Sequence, residues 1–126
     1  MNIIIAGGGK VGHTLARQLS AEGHNLTLID HRQSVLEIAQ ERYDAMTSAG
    51  NCASMEVLRQ AGVQDADLLI AVTASDELNI LISIFASSRD VPKVISKVNR
   101  NELASMAQNL GLDCIVSPKK IVSSLV

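Results

Sequence analysis

At 126 residues the chain is long enough for one domain with its own core and too short for two of ordinary size. A formal net charge of −2 sets it apart from nucleic-acid binders, which carry a strongly basic face, so nucleic acid is not an expected partner. With 47% hydrophobic residues but one Tyr, one Phe and no Trp, the core must be aliphatic, as a buried parallel sheet between helices prefers.

Cys52 and Cys114 lie far apart and fit no metal-ligand spacing, which reads as two reduced thiols of a cytosolic protein, mostly buried. The chain begins Met1-Asn2-Ile3-Ile4-Ile5 with neither a charged leader nor a long apolar segment, and a soluble, cytoplasmic protein is expected.

Residues 2–6 read as a strand buried on both faces, with glycines directly after it. Residues 10–22 carry Val11, Leu15 and Leu19 at helical spacing, and Gly23 supplies a stop. A second strand over 26–30 ends in Asp30. A helix over 33–42 places Leu36 and Ala39 on one face, and a weaker third strand over 45–49 runs up to Gly50. Residues 54–61 form a short helix closed by Gly62, followed by a clear buried strand over 67–72. The next helix spans 76–88, with the break marked by Pro92, and a fifth strand covers 94–98. A helix over 101–109 stops at Gly111, and a short sixth strand covers 114–116. After Pro118, a favourable first-turn residue, 119–126 reads as helical.

Six strands separated by helices make two βαβαβ halves. The right-handed crossover rule then gives an α/β fold, a doubly wound parallel sheet of Rossmann type with strand order 3-2-1-4-5-6, in a single domain.

Gly7-Gly8-Gly9-Lys10-Val11-Gly12 carries the GxGxxG spacing between a strand and a helix, which is the context that gives this short pattern its meaning. In dinucleotide-binding geometry Gly7 permits the tight turn, Gly9 lets backbone approach the diphosphate, and Gly12 allows close helix–strand packing. The helix start offers free N–H groups and a positive dipole end to the phosphates. Lys10 is either a cation at the rim of that site or a solvated first-turn lysine. Asp30, eighteen residues past Gly12, is placed to accept hydrogen bonds from both ribose hydroxyls, which favours NAD over NADP; the alternative is a helix cap or a solvated loop acid. Arg32 blurs that preference, because a guanidinium can face a phosphate or stack on adenine.

Ligands of such sheets lie beyond the carboxyl ends of the strands, at the switch between strands one and four. Thr73 and Ala74 therefore line the far side of the cleft, and Gly50-Asn51-Cys52 falls near the adenine edge. Lys97 is either a phosphate partner or a solvated lysine at a strand end, and Asp76 is expected to cap the helix that follows it.

The run Ile3-Ile4-Ile5-Ala6-Gly7-Gly8-Gly9-Lys10-Val11-Gly12, the strand end Leu28-Ile29-Asp30 and the stretch from Ala71 to Asn79 occur together in one family. With Gln60 to Asp67 they resemble the N-terminal RCK domain (regulator of potassium conductance) of Trk potassium-uptake regulatory subunits. The spacing Thr73, Asp76, Asn79 is more telling than the glycines, which many dehydrogenases share.

The resemblance implies a cytoplasmic regulator held on the inner face of the cell membrane by a potassium-transporting membrane subunit. It implies sensing of NAD(H), with ATP or ADP as alternatives, through Gly7, Gly8, Gly9, Lys10, Val11, Asp30, Thr73, Ala74 and Lys97. It also implies pairing into dimers or rings through the fourth and fifth helices and a final crossover helix. The apolar helix over 76–88 suits such an interface or, alternatively, complete burial in the monomer.

Where the family often has Gly-Asp-Ala, this chain has Gly50-Asn51-Cys52, which lacks that carboxylate. Family regulators continue into a smaller second domain, so residues 1–126 read as one nucleotide-binding domain out of a longer regulator. Under-covered Ile121, Val122, Leu125 and Val126 agree with pairing or truncation.

A dehydrogenase cofactor half is the competing reading. His13, His24 and His31 all fall early in the chain, no Tyr-x-x-x-Lys pair exists, and no substrate domain accompanies the glycine turn. A redox-sensing DNA-binding repressor would need a helix-turn-helix addition or a basic patch, and the chain has neither.

Overall fold

The structure, a computed structural model, describes residues 1–115. The helix expected over 119–126, with Pro118, Ile121, Val122, Leu125 and Val126, lies outside them, as does Val116 of the sixth strand.

Strands β1 (Asn2–Ala6), β2 (Asn25–Asp30), β3 (Ala45–Ala49), β4 (Leu68–Ala71), β5 (Lys93–Lys97) and β6 (Asp113–Ile115) form one sheet. All neighbours pair in parallel, in the order β3-β2-β1-β4-β5-β6. The helices between them are α1 (Lys10–Ala21), α2 (Gln33–Arg42), α3 (Met55–Gln60), α4 (Asp76–Ser88) and α5 (Asn101–Asn109), with a 3₁₀ turn at Val63–Asp65.

The two faces of the sheet build two cores. Ile3, Ile5, Leu26, Leu28, Leu68 and Ile70 point to one side, against Leu15, Ala16 and Leu19 of α1 and Leu36 and Ala39 of α2. Ile4, Ala6, Ile29, Leu69 and Ala71 alternate to the other, against Leu58 of α3 and Ile82 and Ala86 of α4. Burial on both faces is why the central strands read as continuous apolar runs.

β5 sits one residue earlier than expected, β6 begins one residue early, and β4 is one residue shorter at each end. Val98 is fully buried but lies beyond the β5 ladder, just as Val72 is buried beyond β4. Hydrophobicity reports burial, and the ladder ends where pairing ends.

α4 is not wholly buried. Asn79, Ile82, Ser83 and Ala86 face the core, whereas Leu81 and Ile84 are 56% and 43% exposed. On α5, which packs beside α4, Met106 is exposed as well, as is Leu110 just past its end.

Candidate functional site

β1 lies at the centre of the sheet, and the chain winds outward from it on both sides. Its last residue, Ala6, is in register with Ile29 of β2 and Ala71 of β4. The next residues of these three strands, Gly7, Asp30 and Val72, therefore emerge side by side where the helices diverge. That is the crevice in which open α/β sheets bind ligands. A cleft of about 680 Å³ opens there, lined by Gly7, Gly8, Gly9, Asp30, His31, Arg32, Asn51, Cys52 and the stretch from Val72 to Ser75, with Leu78.

The first wall is the glycine turn. Gly7 has φ +112°, a region that L side chains rarely adopt, and its missing Cβ would press on the backbone of Val72 and Thr73. A Cβ on Gly12 would drive into the carbonyl oxygen of Gly7, so α1 can approach β1 only because Gly12 is bare. Gly9 is the opposite case: a side chain there would point into open space. No side chain caps α1, which leaves the N–H groups of its first turn, at Lys10, Val11 and Gly12, without intrahelical partners. The Lys10 side chain is exposed and is not among the cleft-lining groups, and Val11 packs its side chain on the core. What these two residues can offer a ligand is backbone.

Asp30 crosses beneath this turn. Its Oδ2 accepts from the Gly8 N–H at 2.8 Å and from Arg32 Nη2 at 3.1 Å. Its Oδ1 accepts from the Arg32 N–H at 2.8 Å and from Arg32 Nε at 3.0 Å. Burial opposes ionisation of this carboxyl. The Arg32 side-chain bonds, the Arg32 and Gly8 N–H bonds and the guanidinium charge outweigh it, and its pKa falls from 3.8 to about 2. Cys52 sits close by, its Sγ donating to the Ile29 carbonyl at 3.4 Å. Burial first, and the Asp30 charge second, push this thiol up to about 11, which keeps it protonated and disfavours the reactive thiolate at neutral pH.

The second wall is fastened by side chains. Asn79, fully buried, accepts from the Thr73 N–H at 2.8 Å and from Thr73 Oγ1 at 2.7 Å through Oδ1. Its Nδ2 donates to the Thr73 carbonyl at 3.1 Å and to the Lys97 carbonyl at 2.8 Å. One amide thus uses its full hydrogen-bonding capacity to join the turn after β4 to the end of β5.

The expectation for Asp76 is corrected here. Ser75 caps α4, its Oγ accepting from the Leu78 N–H at 3.2 Å. Asp76 instead accepts from the N–H groups of Asn99 and Arg100, both at 3.0 Å, and from Arg100 Nε at 3.3 Å. A carboxylate in the first turn of one helix secures the turn into the next. Burial pushes its pKa up, but these donors prevail and hold it below the usual carboxylate range.

Lys97 reaches the second wall through its carbonyl, and its side chain is not among the groups lining the cleft. Asn51 turns its Oδ1 to the Ala53 N–H at 2.9 Å, and Ser54 caps α3. The departure at this loop therefore keeps local turn chemistry without a carboxylate. The sequence reading did not single out Val72, Ser75 or Leu78 as cleft residues, although Ser75 carries a legible helix-cap signal.

The sheet and its crevice together define a doubly wound domain of Rossmann type. The TrkA-N domain model matches residues 3–118, and the chain belongs to that family. It is 33% identical over 120 residues to the Trk system potassium uptake protein TrkA homolog of Methanothermobacter thermautotrophicus, covering 95% of this chain and 56% of that protein. It is 36% identical over 130 residues to TrkA of Haemophilus influenzae, covering 98% of this chain and 28% of the relative. The chain thus spans about half or less of the length of these relatives. Among solved structures it resembles the Shewanella denitrificans Kef CTD in AMP-bound form, with TM-score 0.82 and 25% identity over 99% of this chain and 77% of that one.

Proposed function

We propose that the domain binds NAD(H), or an adenine nucleotide such as ADP or ATP, and serves as the sensing unit of a regulator of potassium uptake. The observation that carries this reading is the meeting of Gly7-Gly8-Gly9 with the buried carboxylate of Asp30 in one cleft at the strand switch. Open space at Gly9 and the unbonded first-turn amides of α1 fit a diphosphate, and Asp30 fits a ribose. The AMP of the Kef relative and the potassium-uptake names of the TrkA relatives support the ligand class and the process.

In this reading the contacts are Gly7, Gly8 and Gly9, the amides of Lys10, Val11 and Gly12, the Asp30 carboxylate, and Thr73 and Ala74 on the opposite wall. The Lys10 and Lys97 side chains stand outside the lining and would take part only by moving toward it. The regulator would act on a membrane potassium-transporting subunit from the inner face of the membrane. Its means would be preference for the arrangement of paired domains that binds nucleotide more tightly. Among the described residues no helix is long and apolar enough to cross a membrane. Leu81 and Ile84 on α4, with Met106 on α5 and Leu110 just past its end, support pairing through this side of the sheet.

Calorimetric titration with NADH, NAD, ADP and AMP tests the reading. Asp30→Ala should weaken binding by about 1–3 kcal/mol, the effect of losing hydrogen bonds to a charged acceptor. Unchanged affinity would remove Asp30 from the site. Turnover of 2-hydroxy acids or aldehydes with NAD above background would overturn the regulatory reading in favour of a dehydrogenase half.

A further inference from the structure

The Asp30 carboxylate has two oxygens and about four lone-pair positions, and the chain itself fills them all. Two of the donors are backbone: the Gly8 N–H on Oδ2 and the Arg32 N–H on Oδ1. They belong to the turns after β1 and β2 and hold the carboxylate in place. The other two come from one half-exposed side chain: Arg32 Nη2 on Oδ2 and Arg32 Nε on Oδ1. Asp30 is 5% exposed, whereas the Arg32 side chain is 50% exposed and lines the cleft.

A ribose with free 2′ and 3′ hydroxyls also presents two donors, side by side. It needs one lone pair on each carboxylate oxygen, and those are the positions the guanidinium holds.

We propose that Arg32 is an internal competitor for the ribose subsite, a latch that occupies Asp30 in the empty domain and is exchanged, donor for donor, for the two hydroxyls when a nucleotide binds. The proposal rests on the nucleotide-binding reading above and adds a specificity-determining residue to it. The latch keeps a buried anion paired when no ligand is present, which spares the domain an uncompensated charge. It also lowers the advantage that a ribose hydroxyl confers, since each hydroxyl replaces a charge-assisted bond rather than water. Selectivity for a diol-bearing sugar is therefore weaker in this chain than a free carboxylate would give.

The test compares two ligands with the same phosphates, ADP and 2′,3′-dideoxy-ADP, so that any attraction between Arg32 and phosphate cancels. Dissociation constants are measured by calorimetry for the unaltered chain, Arg32→Ala and Arg32→Lys. The ratio of dideoxy-ADP to ADP constants should rise about three- to fivefold in Arg32→Ala, as expected for release of a half-exposed ion pair. In Arg32→Lys, where one ammonium replaces a two-pronged donor, the ratio should be intermediate.

A ratio that is unchanged or smaller in Arg32→Ala would overturn the latch while leaving nucleotide binding intact. Such a result would mean that the guanidinium stays on Asp30 or assists the bound ribose. Failure of the unaltered chain to bind ADP, AMP or NADH at all would instead remove the nucleotide reading, and the latch with it. The half-exposed position of Arg32, whose side chain does not cap α2, makes loss of the fold in either variant an unexpected outcome.

Discussion

The two walls of the cleft are built on opposite plans. The β1 side is nearly bare backbone: a left-handed glycine, a helix start with open amides, and one carboxylate held from below. The β4 side is the reverse, a turn whose backbone is already bonded at Thr73 by the buried amide of Asn79 and braced by Asp76 across to α5. One wall keeps its donors free for a ligand; the other uses its polar groups on itself. The lesson is that unbonded backbone donors beside a cleft mark surface left for a ligand, whereas a buried amide such as Asn79, bonded to its neighbours, keeps the cleft's shape.

That contrast can be broken from either side. The largest effect is expected from Gly12→Ala, whose methyl would collide with the Gly7 carbonyl and force α1 off β1. A loss of about 3 kcal/mol in urea unfolding is expected, with binding lost at the same time. Asn79→Ala should cost about 2–3 kcal/mol, because a buried amide leaves partners at Thr73 and Lys97 unpaired. If that variant unfolds like the unaltered chain, the second wall is not fastened as described.

Acid should expose the first wall. Asp30 has a folded-state pKa of about 2 against 3.8, so its contribution is present above the unfolded value and is lost as pH falls through the folded one. Between about pH 5 and pH 2 the chain should lose about 1–2 kcal/mol through this group, allowing for solvent screening at half-exposed Arg32. Denaturant melts of the chain and of Asp30→Asn across that range check it, and the variant should show the shallower slope.

Leu81→Glu, on the exposed face of α4, should leave the monomer fold within about 0.5 kcal/mol and reduce self-association in sedimentation. The smallest effect concerns Cys52. With its thiol pushed to about 11 it should alkylate slowly at pH 8, and more slowly still with nucleotide bound, as followed by peptide mass mapping.

Much of this was open to reading before the fold was known. The strands, five helices and the glycine turn follow from periodicity and from glycines at the junction of strand and helix, because these signals are local and each reports on its own few residues; the strand order needed the crossover rule as well. Asp30 was legible as a cleft residue for the same reason, as the last residue of the strand that pairs beside the glycine turn. The spacing of Thr73, Asp76 and Asn79 was visible too, but not its purpose. That Asp76 serves the start of α5 and that Asn79 spans to Lys97 depends on two loops more than fifteen residues apart in the chain being brought together by the sheet. The occupancy of Asp30 by Arg32 was hidden in the same way, since two side chains two positions apart reveal nothing of their pairing until the backbone sets their directions. Residue order specified which segments would become strands and helices, through backbone preferences and burial. Only the folded sheet decided which polar atoms would be spent on one another and which would remain for a ligand, because hydrogen bonding is settled by distance in space.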